Sequence, residues 1–567
     1  MILIIVLGCA IFLTVGYLTY GKFLAQRVFE LSDKNPVPSH EMEDGVDYVP
    51  AKKGMLLGQH FSAIAAAGPI NGPVQAAILF GWVPALIWVL LGSVFIGGVH
   101  DMGSLIASVR HKATSISEVV RQHVSHRAWI LFMLFIWICL VYVIVAFTDT
   151  TASSFVGLVT LENGDTVAGA AIASSSIMYL ILPIIMGLLM RFAKLKEGLA
   201  VAIFLPLVGV AIWAGKYIPF SIPVANEAME QKVWCVIILA YCLIAAMLPM
   251  WLLLQPRGAL GGYFLYIALF VAAIGVVFGG YEINYPAFIP MMADGNMQNN
   301  MFPILFITIA CGACSGFHAL VSSGTSSKQL NKESDAKSVG YGSMLLEGMV
   351  AVISIVCVMI LAQDSEMITK APNFIYASGI GSFMELIGIP AVFGVSFGLM
   401  AFTTFVYDTL DVCTRLGRYI IQELTGWKDK KGIVIGTALT AGVPVFFIFQ
   451  TSGDVPAWKI FWNLFGASNQ LLAALALVGV TIWLYHSKKG VKLCMVTLIP
   501  AVFMFIMSNW ALVIMIFEGW VLKKGNPAVP FVSFILLVLA FWVAIETIIS
   551  VIKDKKAEDE DIAVTPA

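Results

Sequence analysis

The chain has 567 residues, of which 59% are hydrophobic and 12% charged, with a formal net charge of −1 and a mean hydropathy of +0.90. A soluble protein of this length needs more charge on its surface, and a near-neutral chain lacks the basic face of a nucleic-acid-binding protein. Apolar runs that match the hydrocarbon thickness of a bilayer recur along the whole chain, without the alternation of barrel strands. The composition therefore indicates an all-α, multi-pass protein whose surroundings are the lipid bilayer.

About fifteen transmembrane helices are predicted in chain order, joined by loops too short to form a soluble domain. Their predicted spans are 2–27, 58–80, 82–108, 128–148, 168–190, 198–215, 233–254, 258–280, 302–323, 339–362, 382–407, 432–450, 461–484, 493–517 and 529–552. The first span lacks the basic start and cleavage site of a signal peptide, so we interpret it as a retained helix. The segment 553–567 is predicted to be a charged cytoplasmic tail.

The distribution of basic residues predicts the orientation of these helices. If the loop that carries Arg110 and Arg121 is cytoplasmic, 27 of the 33 Lys and Arg residues lie in cytoplasmic segments. The six on the other side are Lys216, Lys232, Lys370, Lys459, Lys523 and Lys524. The N-terminus is therefore predicted outside and the C-terminus inside.

Two of the spans are predicted to be broken. Gly68-Pro69 and Gly72-Pro73 interrupt the second span, because proline lacks an amide donor and disfavours helical dihedral angles in the residue before it. The freed backbone groups must be buried in protein or line a polar cavity, and a mere proline kink is the alternative. The ninth span is dense in glycine and hydroxyl residues over 311–318 and 322–327, where close helix packing is the alternative to a break.

The two broken spans run in opposite directions, which is typical of inverted repeats of the LeuT/APC type with a substrate site near the midplane. Repeats of five helices would cover 58–215 and 302–484, although a seven-plus-seven division also fits. Helix N-termini after Pro73 and Gly316 would present amides to a carboxylate. The predicted substrate-binding residues are Gly68, Pro69, Asn71, Gly72, Pro73, Ser315, Gly316 and His318.

Ionisable residues at membrane depth are candidates for function because burying them is costly. His60, His100, Asp101, His318 and Glu347 form such a set. They are interpreted as a proton relay or polar cluster, since histidine titrates near neutral pH, or as residues that pair to hold helices together. A third alternative is a transition-metal site formed by His60, Asp101 and His318.

The eleventh span carries two further candidate groups. In transporters of the LeuT/APC fold, neighbouring hydroxyls on the corresponding helix bind sodium together with carbonyls of the first broken helix, so Thr403, Thr404 and Ala65 are predicted to bind the coupling cation. Bonding of the threonines to their own helix is the alternative. Asp408 and Asp411 stand at spacings that allow ion pairs with Arg415 and Arg418, which predicts a cytoplasmic gate.

Several sequence blocks resemble the carbon starvation protein A (CstA) family, and the likeness covers nearly the whole chain. The blocks are YVP at 48–50, GQHFSAIA at 58–65, GPINGP at 68–73, GGVHD at 97–101 and TLDVCTRL at 409–416. The resemblance implies an N-terminal CstA region at 1–375 and a C-terminal five-helix region at 385–525. It also implies a bacterial inner-membrane importer of peptides or pyruvate.

These features together predict a secondary transporter for small peptides or a short carboxylate such as pyruvate. Protons or sodium ions would drive it, with no other cofactor, and the chain has no phosphate-binding G-x-x-x-x-G-K-[ST] loop for ATP. The alternatives are a membrane-embedded metal-dependent enzyme, a non-selective channel and a nutrient sensor without flux.

Overall fold

The computed structural model describes residues 1–45, 48–161, 164–249, 251–289, 300–427, 429–450 and 455–564, with side chains up to Lys553. The predicted tail at 553–567 lies almost entirely outside the residues whose side chains are described. The described chain is mainly helical and contains one antiparallel hairpin, formed by β1 (Leu158–Thr160) and β2 (Thr166–Ala168).

The helices are numbered in chain order. The N-terminal part contains α1 (Ile2–Leu18), α2 (Tyr20–Phe23), α3 (Pro38–Glu41), α4 (Lys53–Ile64), α5 (Gly68–Phe80), α6 (Trp82–Gly92), α7 (Gly98–Arg110) and α8 (Ile116–His123). The middle part contains α9 (His126–Ser153), α10 (Gly169–Phe192), α11 (Glu197–Gly215), α12 (Glu227–Ala245) and α13 (Leu254–Phe278).

The C-terminal part contains α14 (Met301–Thr308), α15 (Phe317–Val321), α16 (Ser343–Met359), α17 (Pro372–Glu385), α18 (Ala391–Thr425), α19 (Lys430–Phe449), α20 (Ala457–His486), α21 (Val491–Ile516) and α22 (Ala528–Val564). Short π-helical or 3₁₀ segments continue or join several helices, at Leu24–Val28, Ser93–Gly97, Ser322–Ser326, Glu333–Asp335, Lys337–Gly342, Glu366–Thr369 and Phe517–Val521.

Among the described residues, thirteen helices are long and apolar enough to cross a bilayer, and one bent pair, α4 with α5, raises the number to as many as fourteen. Each of these overlaps one predicted span. The remaining predicted span, 302–323, is divided between the short helices α14 and α15. The chain is thus a multi-pass membrane protein, while the count of fifteen and the orientation stay predictions.

The first break lies at residues 65–67, where α4 and α5 meet at an angle of 46°. It is N-terminal to both Gly-Pro pairs, because Pro69 has no amide to donate to the Ala65 carbonyl one turn earlier. Pro69 itself lies in the first turn of α5, where a missing amide is tolerated, and Pro73 lies inside α5. We use "the first break" for residues 65–67.

The second break spans residues 309–316, between α14 and α15. It is longer than the first break and contains no proline. The alternative of an unbroken, closely packed helix is therefore wrong for this span. The dense glycine, cysteine and serine content leaves a backbone that neighbouring helices can approach closely.

The two broken helices pack directly against each other. A Cβ atom placed on Gly72 would lie 2.4 Å from the Thr308 carbonyl oxygen, and one on Gly68 would lie 2.1 Å from Cβ of Cys311. Distances this short exclude any side chain at either glycine. The GPINGP segment thus brings the backbone of α5 against the end of α14 and the start of the second break.

Three long helices form the centre of the bundle. The membrane-crossing windows of α9, α18 and α20 are 72%, 78% and 89% buried, whereas those of α1 and α22 are 28% and 33% buried. α1 and α22 expose large apolar side chains, as expected of helices that face lipid. α9 contacts both α18 and α20. The broken pairs pack on α16, whose membrane-crossing window is 83% buried, and on α18 and α20.

The eleventh predicted span, 382–407, has different boundaries in the structure. The chain instead forms a helical hairpin of α17 and α18, of which α17 is largely buried. Gly388 has a φ of +80° and Pro390 precedes α18, so these residues end one helix and begin the next. Most of the predicted extramembrane run at 363–381 is thus packed helix.

The polar insert at 28–54 folds back over the chain that follows the second broken helix. Glu333 is fully buried there and accepts hydrogen bonds from the Ser32 amide at 2.9 Å and from Asn35 Nδ2 at 2.6 Å. Its other oxygen pairs with Arg110 Nε at 2.8 Å. One carboxylate therefore ties the insert, α7 and the segment before α16 together. We call the polar insert at 28–54 the N-terminal strap.

Three histidines meet outside the apolar core, where α7, α8 and α20 end. His111 Nε2 lies 2.8 Å from His123 Nε2, and His123 Nδ1 lies 3.2 Å from His486 Nδ1. Burial, together with the charges that the two neighbouring imidazoles can carry, lowers the pKa of His123 to about 4. The folded protein therefore favours neutral His123.

We predict that Gly72→Ala destabilises the protein, because the added methyl group meets the Thr308 carbonyl oxygen. Overpacking of this kind costs about 1–3 kcal/mol. Gly209→Ala on α11 is the control, since a Cβ there has no atom within 4 Å. Thermal unfolding of the purified variants in detergent measures the difference. Equal midpoints for the two variants would disprove the close approach.

We also predict that stability falls as the pH drops from 6.5 towards 4. Over this range the unfolded chain binds a proton at His123 that the folded chain does not, because the folded pKa is the lower one. His123→Asn is expected to flatten the dependence of the unfolding midpoint on pH. His126→Asn, at an exposed neighbouring position, serves as the control. An unchanged profile in His123→Asn would contradict the prediction.

Candidate functional site

The carbonyl groups at the start of the second break are bound by tryptophan side chains. Trp462 Nε1 donates to the Thr308 carbonyl at 3.3 Å, and Trp88 Nε1 donates to the Ile309 carbonyl at 3.2 Å. These donors come from α20 and from α6, on either side of the break. They replace hydrogen bonds that a continuous helix would have made within itself.

The amide groups at the other end of the second break are bound by Asn469 of α20. Its Oδ1 accepts from the Phe317 amide at 2.9 Å, and its backbone carbonyl accepts from the Gly316 amide at 3.0 Å. Its Nδ2 donates to Ser315 Oγ at 2.9 Å. Asn469 therefore occupies these amides in this conformation, and the anion site at the helix start after Gly316 stays a prediction.

Side chains of α18 also hydrogen-bond the end of α4, just before the first break. Thr409 Oγ1 donates to the Ala63 carbonyl at 3.0 Å, and Ser62 Oγ donates to Asp408 Oδ2 at 3.1 Å. The other predicted anion site, a helix start after Pro73, is not formed, because α5 begins at Gly68.

The predicted ionisable residues form a continuous buried chain next to the second break. His100 Nδ1 lies 2.7 Å from Asp101 Oδ1, and His318 Nδ1 lies 2.8 Å from Asp101 Oδ2. His318 Nε2 then lies 3.2 Å from Glu347 Oε2. All four side chains are fully buried. We call them the His–Asp–His–Glu chain.

Asp101 can bind both histidines of the His–Asp–His–Glu chain when their imidazoles are neutral. Each neutral ring carries one N–H, and Asp101 accepts one from each histidine. His318 Nε2 and Glu347 Oε2 lie 3.2 Å apart, without the geometry of a hydrogen bond. The role of these residues as a proton relay stays a prediction.

His60 lies outside this chain, although it was predicted with it. Its Nδ1 lies 2.7 Å from Ser326 Oγ, and its Nε2 has no hydrogen-bond partner among the described residues. The predicted metal set of His60, Asp101 and His318 is not the group that the structure brings together. Ligand atoms of Cys311, His318 and Glu347 instead lie within 4.8 Å of one another. Metal binding stays a prediction.

Among the predicted substrate residues, Asn71 has a side-chain amide that can still form hydrogen bonds. It is fully buried in α5, three residues after Gly68 and directly before Gly72. Neither its Oδ1 nor its Nδ2 has a hydrogen-bond partner among the described residues. An amide left unpaired in this way is costly, so Asn71 is a candidate for binding another polar group.

The predicted cation-binding threonines do not bond to the first broken helix. Thr403 Oγ1 donates to the Met400 carbonyl of its own helix at 3.1 Å and lies 3.4 Å from Ser176 Oγ. Thr404 Oγ1 has no partner among the described residues. The hydroxyl of α18 that reaches a carbonyl near Ala65 is that of Thr409, which was not predicted. The cation role of Thr403, Thr404 and Ala65 stays a prediction.

The predicted ion pairs of Asp408 and Asp411 are formed with a different arginine. Arg257 of α13 is fully buried, and its Nη2 lies 3.1 Å from Asp408 Oδ1. Its Nη1 pairs with Asp411 Oδ2, which also accepts from the Tyr241 hydroxyl at 3.1 Å. We call Arg257, Asp408 and Asp411 the Arg–Asp cluster.

Arg415 and Arg418 instead cap the end of α12. Arg415 Nη2 donates to the Leu248 carbonyl at 2.6 Å, and Arg418 Nη1 donates to the Ala246 carbonyl at 2.9 Å. Arg257 lies outside the predicted spans 233–254 and 258–280, so it was not among the intramembrane candidates. Proline is tolerated in the first turn of a helix, so α13 begins at Leu254 and takes Arg257 into the membrane region.

We predict that Arg257→Gln is strongly destabilising, because it leaves two buried carboxylates without their counter-ion. Breaking a buried pair in this way costs about 3–5 kcal/mol. Arg121→Gln is the control, since Arg121 pairs with Glu118 in an exposed position that is worth about 1 kcal/mol or less. The yield of folded protein and the unfolding midpoint measure both effects. Similar losses for the two variants would contradict the buried cluster.

Comparison with solved structures concerns the fold. The crystal structure of MhsT in complex with L-phenylalanine aligns with a TM-score of 0.50 at 10% identity, and the alignment covers 81% of this chain and 98% of that one. Its architecture is of the LeuT type, which agrees with the fold predicted from the two breaks.

Comparison with known sequences concerns the family. The family model for the carbon starvation protein CstA matches residues 1–375 and 362–511. The peptide transporter CstA of Bacillus subtilis is 33% identical, with 89% of each chain aligned. The pyruvate/proton symporter BtsT of Escherichia coli is 30% identical, with 91% of this chain and 81% of that relative aligned. The chain therefore belongs to the carbon starvation protein CstA family.

Proposed function

We propose that this protein is a secondary transporter that imports small peptides or a short carboxylate such as pyruvate across the bacterial inner membrane, driven by protons. The names of the relatives, a peptide transporter and a pyruvate/proton symporter, support transport over the enzyme and channel alternatives. The names also support proton coupling over sodium coupling.

The observation that carries the proposal is the unpaired amide of Asn71 at the contact between the broken helices. A carboxylate or a peptide group supplies acceptors for its Nδ2, and a peptide N–H supplies a donor for its Oδ1. The solute would bind between α5 and the second break, which separate as it enters. Gly68 and Gly72, two of the predicted substrate residues, lie on α5 at its contact with residues 308 and 311. Ser315, Gly316 and His318 are proposed to take part when the second break moves.

Two clefts open on the bundle, one beside the C-terminal end of α18 and one beside the C-terminal end of α19. One, of about 580 Å³, is lined by Arg121, Lys328 and Tyr419 and reaches Gly324, just after the second broken helix. The other, of about 830 Å³, is lined by residues of the C-terminal end of α19 and by Lys459. Both clefts carry acidic as well as basic side chains, so their charge favours neither an anionic nor a cationic solute.

The coupling proton is proposed to reside on the His–Asp–His–Glu chain. His318 stands directly after the second break, so its protonation state acts on the segment that borders the solute. A proton shared by His318 and Glu347 would remove the repulsion between two facing acceptors and favour one position of α15. Alternating access would follow from the movement of the broken helices against the central helices.

Uptake into proteoliposomes tests the proposal. Labelled pyruvate and a labelled dipeptide are offered under an inward proton gradient and, separately, under an inward sodium gradient. We expect one of the two solutes to accumulate with the proton gradient. If both solutes stay outside under both gradients, the proposed transport is wrong.

Asn71→Ala is expected to raise the half-saturation concentration of the transported solute about tenfold, which corresponds to one hydrogen bond of about 1.4 kcal/mol. Asn509→Ala is the control, because Asn509 of α21 donates to the Phe505 carbonyl of its own helix. The measurement is the concentration dependence of initial uptake. An unchanged half-saturation concentration in Asn71→Ala would remove Asn71 from the solute site.

A further inference from the structure

The Arg–Asp cluster carries more negative than positive charge. Arg257 is fully buried, and Asp408 and Asp411 are each 2% exposed. With both carboxylates ionised, one guanidinium leaves an excess of one negative charge inside the bundle. Burial of an unbalanced charge is costly, so the cluster favours the binding of one positive charge.

A small cavity adjoins the cluster on the side of Asp408. It measures about 10 Å³, which is the space of a single water molecule, and its lining includes Gln59, His60, Ser326 and Asp408. Gln59 Oε1 and His60 Nε2 are buried, and neither has a hydrogen-bond partner among the described residues. An amide oxygen, an imidazole nitrogen and a carboxylate therefore surround a site of the right size and polarity for one water.

The groups around the cluster decide which positive charge it binds. The titratable groups that face Asp408 or Asp411 from the helices packed on them are His60 on α4, Tyr179 on α10, Tyr241 and Cys242 on α12, Arg257 on α13, and Tyr407 and Cys413 on α18. A sodium ion beside Asp408 would lie next to the guanidinium of Arg257 and be repelled. A proton bound covalently to a carboxylate oxygen removes the excess charge without adding a second ion.

We propose that the Asp408–Asp411 pair binds one proton and exchanges it with His60 through a water in this cavity. The O–H bond of the Asp408 carboxyl group breaks as its proton passes to the water. A proton of the same water forms the N–H bond at His60 Nε2, so the water is restored and nothing is oxidised or reduced. The inference rests on the proposed proton-coupled transport and assigns a second proton site, at the first broken helix.

The proton site is connected to the first break by two adjacent residues of α18. Asp408 accepts from Ser62 Oγ, and Thr409 donates to the Ala63 carbonyl. Protonation of Asp408 weakens the charge-assisted bond from Ser62, which lies three residues before the break. His60 also interacts electrostatically with His318, so a proton on one ring disfavours a proton on the other. The two proton sites are thereby coupled.

Neutralising either carboxylate tests the site. In Asp408→Asn and in Asp411→Asn, one remaining carboxylate balances Arg257, so no additional proton is needed. We expect both variants to retain exchange of labelled pyruvate or dipeptide across the membrane without a gradient, whichever solute the wild type transports. They are expected to lose accumulation driven by a proton gradient, so that the internal concentration levels off at the external one.

Infrared spectroscopy supplies a readout that does not require transport. The wild type is expected to show the C=O stretching band of a protonated carboxyl group at neutral pH, with part of that intensity lost in Asp408→Asn and in Asp411→Asn. His60→Gln is expected to keep the band while it slows proton-driven uptake, because it interrupts the transfer and leaves the proton site intact. If His60 had only a structural role, its substitution would not slow proton-driven uptake while leaving the infrared band unchanged.

Asp364→Asn is the control. Asp364 is an exposed residue between α16 and α17, so its substitution leaves the charge and the contacts of the Arg–Asp cluster unchanged. Its accumulation and infrared band should match the wild type.

The inference is overturned if Asp408→Asn and Asp411→Asn accumulate solute as the wild type does, or if the wild type lacks the protonated-carboxyl band. If both variants fail to fold, the wild-type band and its fate in His60→Gln decide. Absence of proton-driven uptake in the wild type would overturn the proposed function, whereas wild-type uptake with fully coupled aspartate variants would overturn the second proton site alone.

Discussion

The structure depends on the need to hydrogen-bond backbone groups where two helices stop inside the membrane region. Lipid offers no partners for these groups, so protein side chains must supply them. Trp88, Trp462 and Asn469 do so at the second break, and Thr409 does so at the first. The central helices α18 and α20 therefore hold the two breaks as well as the core, which explains why they are so deeply buried.

Each break also lies beside a buried charged group. The His–Asp–His–Glu chain adjoins the second break, and the Arg–Asp cluster is joined to the first by Ser62. Charge placed next to a discontinuous helix has two effects. It costs desolvation when it is unbalanced, and its balance can be changed by a single proton. The segments that are proposed to move during transport are thus the ones beside these charged groups.

Much of this arrangement was predictable from local chemistry. The Gly-Pro pairs identified the first broken helix, because proline removes donors wherever it stands, and intramembrane ionisable residues identified the His–Asp–His–Glu chain. Other features depend on contacts between distant segments. The pairing of Asp408 with Arg257 joins residues 151 positions apart, and no periodicity within α18 reveals it. Proline is found both just after a helix and in the first turn of one, so Pro256 does not show from the sequence where α13 begins. Arg257 was therefore not predicted to lie in the membrane region.

The N-terminal strap links parts of the chain that are far apart in sequence. The carboxylate that binds it belongs to Glu333, which lies beyond the second broken helix. Glu333 accepts from Ser32 and Asn35 of the strap and pairs with Arg110. If α15 and the residues after it swing outward, these charge-assisted bonds must either break or draw the polar insert along with them. The mechanical unit that moves on this side is therefore larger than the broken helix and includes a piece of the N-terminal region. Opening on this side is therefore opposed by the hydrogen bonds and the ion pair of Glu333, which are not contacts with the solute.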